Sequence, residues 1–239
     1  MLTLDFTFFA IAGPAVLFAG ISKGGFGAGA AFAAASILAL VVEPGLALGV
    51  MLPLLMLIDL ASLRPYWGKW RWREARLMIL GGVPGVAIGA YFYTLANADL
   101  LRVLIGGISV AFVLWQVAQA RGLVRLGGRQ LPAEAGLFAG AVAGFTSFVS
   151  HAGGPPAAVY LLSQKMTKTE YQASSVLIFW AINIAKFVHY AFLGMFTLQT
   201  GIANVVLAPF ALAGGWLGVK AHRLVPESLF VRVAFVVLR

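Results

Sequence analysis

Nineteen consecutive residues, Leu77 to Leu95, carry no charged side chain. At 1.5 Å per residue such a run makes a helix of about 30 Å, the thickness of a bilayer's hydrocarbon core. The chain repeats this feature. Leu46–Leu63 holds Asp59 as its one charge, Leu100–Ala120 holds Arg102, and Tyr171–Leu193 holds Lys186. Backbone polar groups have no water to bond inside a bilayer, so runs of this length must be helical. Composition agrees, with 61% hydrophobic residues and 10% charged. A soluble domain carries about 25% charged residues. A soluble globule is therefore excluded, and the chain reads as an all-α integral membrane protein.

The basic residues cluster between the apolar runs. Arg64, Lys69, Arg71, Arg73 and Arg76 lie in one such loop, and Arg121, Arg125 and Arg129 in a second. Lys165 and Lys168 mark a third, and Lys220, His222 and Arg223 a fourth. The net charge of +9 thus reads as a topology signal rather than a nucleic-acid footprint. Placing these loops in the cytoplasm puts the uncharged linker 194–200 and the turn at Asn97 and Asp99 outside. Tyr66, Trp67, Trp70 and Trp72 suit an interfacial anchor. Full spans are expected at 46–63, 77–95, 100–120, 171–193, 202–222 and from Leu229. The shorter segments 4–21 with 28–42, and 135–149 with 157–162, must then each return to the side they started from, as re-entrant or broken hairpins do. The N-terminus is expected outside. It has no basic start and no small-residue cleavage site, so no cleaved signal peptide is expected. The chain ends inside an apolar run, Leu229–Leu238, so the last helix is expected to be cut short. There is no cysteine, hence no disulfide or thiol chemistry.

Both hairpins turn at glycine-rich breaks: Ser22-Lys23-Gly24-Gly25-Phe26-Gly27 and Ser150-His151-Ala152-Gly153-Gly154-Pro155-Pro156. An offset of 129 residues lays Gly24-Gly25 on Gly153-Gly154, Gly85 and Gly89 on Gly214 and Gly218, and Leu100 on Leu229. This predicts two inverted repeats, each a broken hairpin plus three transmembrane helices. The first covers 1–120 and the second 134–239, joined by a cytoplasmic linker at 121–133. Inverted repeats with discontinuous helices are a transporter signature.

A helix that restarts after a break exposes backbone N–H groups and the positive end of its dipole, and glycine lets a ligand approach them. Ser22, Lys23, Gly24, Gly25, Ser150, His151, Gly153 and Gly154 are therefore the expected anion-binding residues, with Lys23 as counter-charge. The hydroxyls of Thr146 and Ser147 are further donors. The competing reading is structural: the glycines only permit close packing, Lys23 only flanks the first segment, and the serines bond their own helices. Asn183, Lys186 and Tyr190 share one helical face. Asn183 is the preferred ligand contact, because Lys186 lies within snorkelling reach of the external end. Asp59 sits a turn from the end of its run, where it can pair with a loop arginine. His151 and Asp59 are the candidates for coupling a proton.

Enzyme chemistry is not expected. Ser147 or Ser150 with His151 has no separate orienting carboxylate, and no zinc-protease or phosphate-loop motif occurs. Neither a metal nor a cofactor is expected. The partners are a small anion, protons and the bilayer.

Gly20-Ile21-Ser22-Lys23-Gly24-Gly25-Phe26-Gly27 and His151-Ala152-Gly153-Gly154-Pro155-Pro156 resemble the glycine-rich motifs of the sulfite exporter TauE/SafE family. The helix start at Thr169–Ser175 and the segments around Gly85 and Gly214 have the family's layout too. The resemblance spans nearly the whole chain. It implies a secondary transporter that exports sulfite, an organosulfonate or a related sulfur oxyanion across the bacterial inner membrane. Lys23 and His151 depart from the commoner pattern and leave the anion open. The alternative is a passive anion channel.

Overall fold

The computed structural model describes residues 4–27, 32–121 and 130–226. Its elements are α1 (Phe6–Gly25), α2 (Phe32–Val41), α3 (Pro44–Tyr66), α4 (Trp72–Leu95), α5 (Ala98–Ala120), α6 (Ala133–Ser150), α7 (Gly154–Ser163), α8 (Lys168–Phe192) and α9 (Leu198–Leu224). All are helices. Six of them, α1, α3, α4, α6, α8 and α9, are long and apolar enough to cross a membrane. The expected tenth helix and most of the basic linker lie outside the described residues.

Local chemistry sets the helix starts. The Asp5 carboxylate accepts from the N–H of Phe8 at 2.8 Å and caps α1. Pro44 opens α3, where its missing N–H costs nothing. Thr167 and Glu170 form a reciprocal capping box on α8, as Thr197 and Thr200 do on α9.

The boundaries correct the sequence expectation in three places. The glycines do not interrupt α1, which is 20 residues long and continues to Gly25. Its helical hydrogen bonds hold that turn because glycine is disfavoured but not forbidden in a helix. The first segment is therefore of spanning length, while α2 and α7, at 10 residues each, are not. Second, α7 begins at Gly154, with prolines at Pro155 and Pro156 in its first turn where they are tolerated. Third, Arg64-Pro65 does not end α3, which runs to Tyr66, and α4 begins at Trp72. Arg64, Arg73 and Arg76 thus belong to helix ends, and the connecting loop is short.

Two helix pairs pack through glycine. A methyl group at Gly20 or Gly24 would overlap the backbone of Gly214 or Gly215 in α9, and one at Gly25 would meet Gly218. In the same manner Gly81 and Gly85 of α4 lie against the carbonyls of Leu137 and Ala141 in α6. This is the small-residue packing of membrane helices, where backbones close on one another without side chains between. One apolar core joins α1, α2, α3 and α9, and another joins α3, α4, α6, α7 and α8. The outward faces are apolar as well: Phe6, Leu80, Ile88, Val103, Val205 and Trp216 are exposed. Lysine and aspartate are meanwhile buried at the centre. A surface of that kind suits lipid rather than water.

Candidate functional site

The buried polar groups converge where α1 and α6 end against α3 and α8. Lys23 is in the last turn of α1 and only 4% exposed. Its ammonium lies 2.5 Å from Oδ2 of Asp59 and donates to the Leu55 carbonyl at 3.4 Å. The Asn183 amide donates to the same Asp59 oxygen at 2.8 Å. Asp59 is fully buried, and its Oδ1 has no hydrogen-bond partner among the described residues. Asp59 therefore pairs with Lys23 and not with a loop arginine.

The second half of the cluster is built around Lys186. Its side chain is fully buried, so it does not snorkel as its position near the end of the run suggested. The ammonium donates to Ser147 Oγ at 3.1 Å and lies 2.6 Å from Nδ1 of His151. The other ring nitrogen, Nε2, is 3.3 Å from the Leu48 carbonyl. A carbonyl only accepts, so Nε2 carries hydrogen and Nδ1 accepts a hydrogen bond from Lys186. Among the described residues Lys186 has no carboxylate in salt-bridge range. A buried ammonium held only by neutral groups is costly, and membrane proteins keep such groups for function.

The two breaks end their helices alike. Gly27 has φ +87° and His151 has φ +57°, both left-handed. Glycine takes that conformation freely. Histidine takes it less readily and is held by the ring contacts just described. Near these ends the backbone offers carbonyls. The Lys23 carbonyl accepts from the Gln172 amide at 2.7 Å, Gly24 from the Tyr66 hydroxyl at 2.8 Å, and Gly25 lies 2.9 Å from Nδ1 of His222. The Phe148 carbonyl accepts from the Tyr190 hydroxyl at 2.5 Å. The dipole end presented by α1 is thus its negative one, which favours Lys23 there. This corrects the expectation of free N–H groups at Gly24 and Gly25, whose open sides are filled by α9. A helix start does lie at Gly154, the first residue of α7, though Gly153 is pressed against Ala143 and Phe179.

Other polar residues nearby bond within their own segments. Ser22 Oγ donates to the Gly27 carbonyl at 3.4 Å, and Ser150 Oγ to Thr146 at 3.0 Å, each within its own break. Thr146 bonds Val142 and Ala152 in the same way. Ser147 is the hydroxyl that turns to a cation. His189 bonds Ala185 of its own helix. A separate cavity of about 260 Å³ lies at the ends of α3, α8 and α9, lined by Tyr66, Lys69, Lys168, Thr169, His222 and Arg223.

Lys186 is the group that sequence reading undervalued. The signal was its spacing: three residues after Asn183 and four before Tyr190, it belongs to a buried face.

Among curated proteins and among solved structures, no match was found. A family model does match, described as Sulfite exporter TauE/SafE, over residues 12–238. With nearly its whole length matched, this chain belongs to the sulfite exporter TauE/SafE family.

Proposed function

We propose that the protein is a secondary transporter that exports a small sulfur oxyanion or organosulfonate across the bacterial inner membrane by alternating access. The observation that carries this reading is Lys186: a fully buried lysine with no carboxylate in salt-bridge range among the described residues, on the same helix as Asn183, which bonds the Lys23–Asp59 pair. A cation so placed lowers its free energy by binding an anion. In this reading the anion lies between the two helix breaks. Lys186 and Lys23 supply charge, Ser147, His151 and Asn183 supply hydrogen bonds, and the start of α7 at Gly153 and Gly154 adds its N–H groups. Ser22, Gly24, Gly25 and Ser150 shape the two breaks around it. His151, which shares a proton with Lys186, and Asp59, with its unpartnered oxygen, are the groups through which a proton is coupled.

An inverted-repeat architecture is part of the proposal. What supports it is a recurring bond: Tyr66 donates to Gly24, and Tyr190 to Phe148, each residue displaced by 124 positions. The same step relates Lys23 to Ser147, Asp59 to Asn183 and Ser62 to Lys186, all of them buried. It also brings together the left-handed residues Gly27 and His151. The step for the first helices is thus 124 rather than 129, while Gly85 and Gly214 keep the longer one. The N-terminus is external in this scheme, and α1–α2 and α6–α7 are hairpins that enter the membrane from opposite faces.

Reconstitution tests the reading. Proteoliposomes loaded with sulfite should export it, and a proton gradient should drive it uphill. Large single-channel currents with only downhill flux would instead support the passive channel.

A further inference from the structure

The net charge of the cluster limits the charge of an anion it can hold. Lys23 and Asp59 are in contact at 2.5 Å, so together they contribute no net charge. The 2.6 Å contact between the Lys186 nitrogen and Nδ1 of His151 leaves room for only one hydrogen between them. A second would set donor against donor. Since Nε2 already carries hydrogen toward Leu48, the Lys186–His151 pair holds one positive charge when Lys186 is the ammonium that the transporter reading requires, wherever the shared proton lies. Asn183 and Ser147 are neutral, and Tyr190 keeps its hydroxyl hydrogen on the Phe148 carbonyl. With Lys186 as the ammonium and Asp59 as the carboxylate, before a coupled proton is taken up, the groups facing the cluster from α1, α3, α6, α8 and the second break sum to a single excess positive charge. In a low-dielectric interior an unbalanced charge is expensive, so occupancy is favoured when the ligand brings this count to zero.

Resting on the transporter reading above, we infer that the buried network selects a monoanion. Asp59 is the built-in carboxylate that already occupies the place of a second negative charge. Hydrogensulfite and alkyl sulfonates fit this rule, and sulfate, thiosulfate and the sulfite dianion do not. Asp59 is thus a specificity-determining residue even though its partner is Lys23. The pattern across the 124-residue step explains how this arises. Asp59 has the neutral Asn183 as its counterpart, so one half of the cluster carries a carboxylate and the other does not. Each half carries one lysine, but at different positions.

Methanesulfonate and sulfate are suitable probes, since both are tetrahedral and of similar size but differ by one charge. Titration calorimetry on the full chain in detergent, at constant pH and ionic strength, should give wild-type affinity at least tenfold tighter for methanesulfonate. In Asp59→Asn the excess rises to two charges, and the preference should move toward sulfate by tenfold or more. In Lys186→Met the excess falls to zero, and methanesulfonate affinity should fall at least tenfold. Equal or tighter wild-type binding of sulfate overturns the inference, and this comparison needs no variant to fold. An unchanged ratio in a folded Asp59→Asn protein overturns it as well. If sulfite is exported by proteoliposomes while sulfate and methanesulfonate bind alike, the charge rule falls and the transporter reading stands. If neither anion binds and sulfite is not exported, both fall.

Discussion

At the scale of single residues, the cluster separates two kinds of buried lysine. Lys23 is tied to a carboxylate, and removing that carboxylate leaves an uncompensated charge. Asp59→Ala should therefore lower stability by about 3 kcal/mol, read as thermal or denaturant unfolding in detergent. The double change Lys23→Met with Asp59→Asn should recover much of that loss. Lys186 is held by neutral partners, so its ammonium is a net cost in the empty protein. Lys186→Met should leave the melting temperature unchanged or raised, while sulfite export falls by two orders of magnitude. A variant that lost stability and activity in parallel would give Lys186 a structural role instead. The sequence made Lys23 and His151 visible as polar residues beside glycine. It could not show that Lys23 reaches Asp59 or that His151 reaches Lys186, because these partners lie 36 and 35 positions apart and meet only when four helix segments pack. Snorkelling misjudged Lys186 for a related reason. Distance from a helix end says nothing about which face points inward.

At the scale of elements, the breaks matter because the helices entering them are fixed. α1 is clamped to α9, and α6 to α4, by backbone-to-backbone contact at glycine. Gly85→Val would drive a branched side chain into the Ala141 carbonyl and should cost about 1–3 kcal/mol or more. Gly106→Val in α5 is the matched control, since a Cβ there meets nothing within 4 Å. Measured melting temperatures should separate the two variants clearly. Helix identity and approximate extent were legible from apolar runs and basic loops. The ends were less so. Glycine at Gly24 and Gly25 reads locally as a break, yet the backbone stays helical and uses the missing side chains to admit α9. Proline at Pro65 and Pro155 likewise reads as a stop but falls within a helix's last or first turn.

At the scale of the whole molecule, polarity is reversed relative to a water-soluble fold. Exposed Leu, Ile, Phe and Trp face outward, and the charged network is inside. That reversal was the most legible property of the chain, because composition alone reports it. Orientation is testable on the same scale, helped by the absence of cysteine. A single cysteine at Lys69 should react with an impermeant maleimide only from the cytoplasmic side, and one at Asn97 only from outside. Opposite labelling would reverse the charge-based topology. Lys186 is the proposed cation that receives a transported anion. The most direct test of that role is uptake of isotopically labelled sulfite into proteoliposomes against a concentration gradient, driven by an imposed proton gradient, for wild type and Lys186→Met side by side. The expected result is uphill accumulation by wild type and background levels with a folded Lys186→Met protein. Equal accumulation by both proteins would contradict it.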